Sequence, residues 1–284
     1  MKKILTFVVA LLAAVNMNAW EFENPGFQWS VGADVTSAYL WRGMRYGGFA
    51  FQPDASVGYG GLNLEAWFNL SPKDWTFKEF NPEMDLTLSY SIAGFTVGAT
   101  HYYYFDGTRF FDYRKPALVD YEAETYATNQ TEIFAKFELG ELLEKFPLSV
   151  MWSTFVGGDD WKPLHEDPKD DEKITGIKRA FSSYLEVSYD FGLPLGFSIT
   201  PTVGMTPWAS FYNDYADAFS VNNISLKLNW ELSVKDIFAL DVYGIAMLNT
   251  AGINKDNVWP SIKDSYATQR LNLAVGVGIW FGNK

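Results

Sequence analysis

From about residue 27 onward, apolar and polar side chains alternate along the chain with a period of two, the mark of strands with one apolar face. In the first run, 27–42, Phe27, Trp29, Val31, Ala33, Val35, Tyr39 and Trp41 share one face. Ser30, Gly32, Asp34, Thr36 and Arg42 share the other. Further runs cover 49–59, 62–70, 80–92 and 95–103. A sixth, around Ile133, Ala135 and Phe137, ends near 139. The rest span 148–156, 181–189, 197–205, 224–232, 238–248 and 271–281. Phe219 and Val221 are out of phase with Ile224 and Leu226, which predicts a bulge near Asn222-Asn223. The helical period is nearly absent; Glu138 to Phe146 is the one short helix-like piece.

Connections after the even-numbered runs are short: Gly60-Gly61, Ala93-Gly94, a few residues before Pro147, 192–196 and 233–236. Those after the odd-numbered runs are long: 71–79, 106–124, 157–179, 207–218 and 249–268, with 43–48 the brief exception. No segment supplies a second layer to cover a dozen apolar faces, so they are expected to meet lipid. The pattern predicts an all-β chain, a closed antiparallel up-and-down transmembrane β-barrel of about twelve strands, with both termini in the periplasm. Ten residues from Trp29 to Tyr39, at about 3.3 Å each and a tilt near 40°, span roughly 25 Å. Phe27, Trp29, Tyr59, Tyr90, Tyr189, Trp230 and Phe281 would form the inner aromatic girdle. Tyr39, Trp41, Phe49, Phe51, Phe80 and Tyr103 would form the outer one. A soluble β-sandwich would not need aromatics at both ends of its apolar faces.

The first residues fit this setting. Met1-Lys2-Lys3, the apolar run Ile4 to Val15 and the small-residue exit Asn16 to Ala19 read as a secretory leader, residues 1–19, ahead of a barrel over 20–284. The formal charge is −12, and removing that leader takes two lysines and no acid. So acidic a chain is not expected to bind nucleic acid. Cysteine is absent, so no disulfide staples the fold. Aromatics reach 18%.

The segment from Asp34 to Trp67 carries Asp34-Val35, Ser37, Tyr39, Trp41-Arg42-Gly43, Gln52-Pro53, Gly61 and Trp67. It resembles the start of the TorF-type porin family of Gram-negative bacteria. The resemblance covers about 35 residues. It implies an outer-membrane barrel and passive transport, and names no substrate. The acidic loop at 157–173 departs from the family pattern.

The faces opposite the apolar stripes point into the ring. They carry the acids Asp34, Asp54, Glu65, Glu83, Asp85 and Glu132, then Glu138, Glu186, Asp190, Glu231 and Asp241. Against them stand the cations Arg42, Lys136, Lys227 and Arg270. An acidic lining concentrates cations and repels anions, which favours passage of small polar or cationic solutes. The other reading is a plugged barrel with a structural or surface-interaction role, because twelve strands lie between filled and water-filled barrels. Trp67, Tyr102, Tyr104, Phe134, Phe155, Tyr184, Tyr243 and Trp280 also face inward, where they narrow the lumen or stack on a ring-shaped solute. Arg42 is expected to pair with Glu65 or Asp54 on neighbouring strands.

Loop 157–173 holds Asp159, Asp160, Asp167, Asp170 and Asp171 but lacks the ordered spacing of a calcium hand, so it reads as a solvated loop and no metal is expected. His165-Glu166 has no second His at zinc-protease spacing. His101 falls on the lipid face, where an interfacial lipase would need an outward nucleophile beside it. The neighbouring strand offers only Thr131 or Asn129. Nucleotide loops, nucleophile elbows and dinucleotide fingerprints are missing, so no enzyme activity and no cofactor are expected. The partners implied are outer-membrane lipid and small polar solutes.

Overall fold

The computed structural model describes residues 26–72, 78–122, 126–143, 146–167, 170–215, 219–234, 237–250 and 270–283, with backbone alone over 166–167 and 170–173. The candidate leader, residues 1–19, lies outside them.

In chain order the strands begin with β1 (Phe27–Thr36), β2 (Tyr39–Trp41), β3 (Met44–Gly47), β4 (Ala50–Tyr59), β5 (Leu62–Pro72) and β6 (Phe80–Ile92). There follow β7 (Phe95–Tyr103), β8 (Gln130–Glu138), β9 (Leu148–Gly158), β10 (Trp161–Asp167), β11 (Asp170–Arg179) and β12 (Ser183–Tyr189). The last are β13 (Phe191–Gly192), β14 (Phe197–Thr206), β15 (Ser220–Val234), β16 (Phe238–Leu248) and β17 (Leu271–Gly282). Twelve long strands form the wall, each antiparallel to the next, and β1 pairs with β17. The ring closes where β12 pairs with β14, joining Leu185–Ser188 to Thr202–Met205. The two-residue β13 extends that seam by pairing with the start of β14. Closure gives every wall strand a paired neighbour on both sides.

The predicted alternation sets the two faces. Phe27, Leu273 and Val275 stand 62%, 64% and 66% exposed on the outer face, an apolar surface that no second layer covers among the described residues. On β6, Phe80 and Tyr90 both point outward ten residues apart, so the apolar band is roughly 25 Å tall. On the lumen face of β17 and β1, rings lie flat over glycines. Trp280 covers Gly278 and Gly32, and Tyr243 covers Gly276, leaving no room for a Cβ. The predicted bulge is present. Gly204 pairs with Asn223 and Met205 with Val221, so Asn222 is the extra residue. The helix-like piece after 138 is a 3-10 turn, Leu139–Glu141.

The first connection corrects the sequence reading. The wall strand does not run to residue 42; it stops at Thr36. The Ser37 amide still bonds the Val275 carbonyl, and the Thr36 hydroxyl bonds back to Ala38, so the chain turns off the wall. β2 and β3 then pair with each other, closed by the Tyr39 amide on the Gly48 carbonyl. At the tip Arg42 (φ 46°) and Gly43 (φ 88°) are consecutive left-handed residues, the geometry of a tight hairpin turn. Tyr39 and Trp41 therefore leave the expected outer girdle. Tyr39 is buried against Trp67 and Tyr46, and Trp41 packs among Tyr46, Tyr102 and Tyr212. What looked like the brief connection 43–48 is a segment of the chain, 37–49, folded into the lumen.

The acidic loop is also more ordered than a solvated one. β10 and β11 form a hairpin, with Trp161 opposite Arg179. Asp159 and Asp160 at its foot are buried.

Candidate functional site: a hairpin across the lumen

Arg42 at the hairpin tip reaches across the ring to β8. Its Nη1 and Nη2 donate to Glu132 Oε2 and Oε1, each at 2.8 Å, and Nη1 also donates to the Tyr212 hydroxyl at 2.5 Å. The Tyr102 hydroxyl donates to Glu132 Oε1 at 2.7 Å. The Arg42 and Glu132 side chains are 8% and 3% exposed. The guanidinium sits 4.5 Å from the Trp41 ring centroid and 5.0 Å from that of Tyr184. This is a desolvated, bidentate pair with a further hydroxyl on each partner, the arrangement in which such a pair holds its shape. It overturns the pairing expected from the sequence. The tip lies beyond the wall strand, so Arg42 meets Glu132, 90 residues away, rather than Glu65 or Asp54.

Two other features seat the hairpin. The bulge turns Asn222 inward, where its Nδ2 donates to the Arg42 carbonyl at 3.2 Å. A second inward segment, Phe211–Asn213, is a 3-10 turn capped by Ser210, whose hydroxyl accepts from the Tyr212 amide while the Asn213 side chain accepts from the Ser210 amide. Tyr212, 1% exposed, is held there against Phe155 and Tyr184. Tyr212, Tyr46, Phe211 and Asp159 were not singled out for the lumen in the sequence. The one available signal was the Ser210…Asn213 capping pattern inside a long connection.

The hairpin stands between two cavities in the lumen. The inner one, about 420 Å³, is lined by Arg42, Glu65, Trp67, Asp85, Tyr102, Glu132 and Tyr243 together with Gln52, Phe134 and Met151. The outer one, about 390 Å³, is lined by Glu83, Tyr104, Asn69, Asn81, Gln130 and Asp159 with Tyr46, Phe105 and Phe211. Tyr39 borders both. The boundary is level around the wall: it passes between Trp67 and Asn69, Asp85 and Glu83, Tyr102 and Tyr104, and Glu132 and Gln130. The outer cavity lies toward the long connections.

The other predicted lumen residues stand nearer the short-turn end or in separate contacts. Asp34 takes a hydrogen bond from Tyr243, whose ring Lys227 Nζ covers at 4.8 Å. Asp54 lies over Gly32. Glu186 accepts from Tyr184, which also accepts from Asn223. Glu231 accepts from Ser233, and Asp241 from Asn229. Lys136 pairs with Glu138 at 2.7 Å in a solvated position. Arg270 is exposed at the start of β17.

Beyond the end of β9, burial pushes the Asp159 carboxyl up to about 8, with the charge of Asp160 adding to it. Burial pushes Asp160 up to about 6, against a hydrogen bond from the Ser182 amide. On the outer wall, His101 is 5% exposed rather than open to lipid, because the connection after β7 folds Phe110, Phe111 and Tyr113 over it. One ring nitrogen bonds the Thr131 hydroxyl at 2.8 Å and the other the Phe110 carbonyl at 2.5 Å. Among the described residues, no group of three or more His, Asp or Glu side chains comes together to hold a metal.

No family model matches the sequence, and no curated protein matches it. Solved structures of similar architecture include an outer-membrane channel from Pseudomonas putida F1, 13% identical, TM-score 0.40, over 94% of this chain and 99% of that one. OmpF of Salmonella typhi in complex with daunomycin is 9% identical, TM-score 0.36, over 90% and 96%. An anion-selective porin from Comamonas acidovorans is 10% identical, TM-score 0.32, over 92% and 100%. Identities this low leave the choice of solute to the residues of this chain.

Proposed function

We propose that the chain is an outer-membrane channel of porin type for passive diffusion of small polar or cationic solutes, with both termini in the periplasm and the TorF-type family as its kin. The observation that carries this reading is the contrast between the two faces of the closed ring. The outer face is an apolar band about as tall as a bilayer core, while the inner face holds two cavities rich in carboxylates. In hydrocarbon the backbone groups of a wall must be bonded within it, and ring closure supplies neighbours on both sides of each wall strand. Inside, Glu65, Asp85 and Glu132 line one cavity together with Arg42, and Glu83 and Asp159 line the other, where no Lys or Arg side chain is among the described lining residues. A surplus of acid in a narrow path draws cations.

The hairpin favours a specific second reading. Its bidentate latch stands between the cavities, so a permanently plugged barrel serving as a structural or surface protein fits the same geometry. Planar-bilayer recording of the refolded protein separates the two. Discrete steps with a reversal potential toward cations support the channel, and replacing Glu83 and Asp85 together by Gln and Asn weakens that preference. Silence from both the native chain and a variant without the latch refutes the channel.

A further inference from the structure

We propose that the outer cavity is a binding site for a small organic ammonium ion, with Glu83 and Asp159 as its counter-charges and the surrounding tyrosine and phenylalanine rings as its walls. The proposal deepens the channel reading and rests on it for the route by which the ligand arrives.

Glu83 and Asp159 are each 6% exposed, yet both line an open space of about 390 Å³, within the range of small-molecule sites. No Lys, Arg or His side chain lines that space among the described residues. Arg42 is committed to Glu132 below the boundary, and Arg179, whose charge acts on Asp159, donates Nη1 to the Gly158 carbonyl at 3.1 Å and lies 4.3 Å from the Trp161 ring centroid. Glu83 is instead held by the hydroxyls of Tyr39 and Tyr104. A buried carboxyl without a cation sheds its charge, as burial makes Asp159 do up to about 8; a cation placed between Glu83 and Asp159 favours the ionised form of both and takes the place of solvent.

The walls choose the kind of cation. Tyr39, Tyr46, Tyr104, Phe105 and Phe211 surround the space, and an aromatic face attracts an alkylated ammonium without needing to replace a hydration shell. A hard ion such as calcium wants six to eight oxygens at short range. The carboxamides here are partly spent on one another: Asn69 Oδ1 accepts from Gln52 and Ser71, and Gln130 donates to the Asp159 carbonyl. They keep the floor rigid rather than offering a full coordination shell.

The test is calorimetric titration of the whole refolded barrel in detergent micelles with choline chloride, and with 3,3-dimethylbutan-1-ol as its neutral isostere. The expected result is saturable binding of choline and much weaker binding of the alcohol. Titrated at pH 8.5, above the Asp159 value of about 8, Glu83→Gln and Asp159→Asn should each weaken choline by roughly 30-fold. Because Glu83 also anchors two tyrosines, Asp159→Asn carries the test if Glu83→Gln fails to refold. Equal binding of choline and the alcohol, unchanged affinity in the folded variants, or displacement of choline by equimolar calcium overturns the site. Choline binding in micelles with a silent bilayer would overturn the channel and keep the site. Conductance without any choline binding would do the reverse.

Discussion

Removing Glu132 is the sharpest test of the hairpin latch. In Glu132→Ala, Arg42 loses both 2.8 Å bonds to the carboxylate and keeps only the Tyr212 hydroxyl and the ring faces of Trp41 and Tyr184. A buried charge stripped of its partner costs about 3–5 kcal/mol. The hairpin has an escape, because it can leave the lumen and return the guanidinium to water. The cost therefore falls first on docking: the ratio of docked to undocked hairpin drops by roughly 10²-fold or more. Replacing both charges by neutral residues of similar volume, Arg42→Met with Glu132→Gln, should recover most of the loss, since no orphan charge remains. The assay is a double-mutant cycle on urea unfolding, with single-channel conductance alongside. Expected are a coupling energy above about 2 kcal/mol and larger, noisier conductance in each single variant. A coupling below about 1 kcal/mol, the value of an exposed pair, with unchanged conductance in Glu132→Ala would refute the latch.

Three further outcomes follow from local geometry. Gly43→Ala puts a Cβ against the Asn222 carbonyl at a φ of 88°, so it should undock the hairpin by about 1–3 kcal/mol and reproduce the conductance change of Glu132→Ala. Gly278→Ala would drive Trp280 off its seat on the wall, to be seen as a shift in tryptophan emission with the barrel still closed. The raised Asp159 and Asp160 carboxyls favour the protonated folded state. Their stabilising contribution is complete below the unfolded value of about 3.9 and is lost as pH rises through about 6 and then about 8. Amide exchange at the foot of the β10–β11 hairpin should therefore quicken between pH 5 and pH 9, and Asp159→Asn should flatten that dependence. An equal pH profile in the variant would count against burial as the cause.

Much of the wall was legible along the chain. Period-two alternation fixes which side chains face out, because successive side chains on a strand point to opposite faces. It located the twelve wall strands, the alternating connection lengths and, from the broken phase at Phe219 and Val221, the bulge at Asn222. The candidate site was legible only in part. Glu83, Asp85, Tyr102, Tyr104 and Glu132 were assigned to the inner face by parity, yet nothing local says which of them share a cavity.

Parity also misled at Tyr39 and Trp41. An aromatic ring suits the lipid interface and the inside of a plug equally well, so the pattern continued smoothly across the point where the chain left the wall. What decided its course lies far off in sequence: Glu132 to receive Arg42, Tyr212 to cover it, and a bulged Asn222 to hold the turn. Alternation is a short-range property and was determined by the sequence itself. Closure of the ring brought distant groups within a few ångströms of one another, and only in that folded space does a buried arginine find the one carboxylate that lets it stay there.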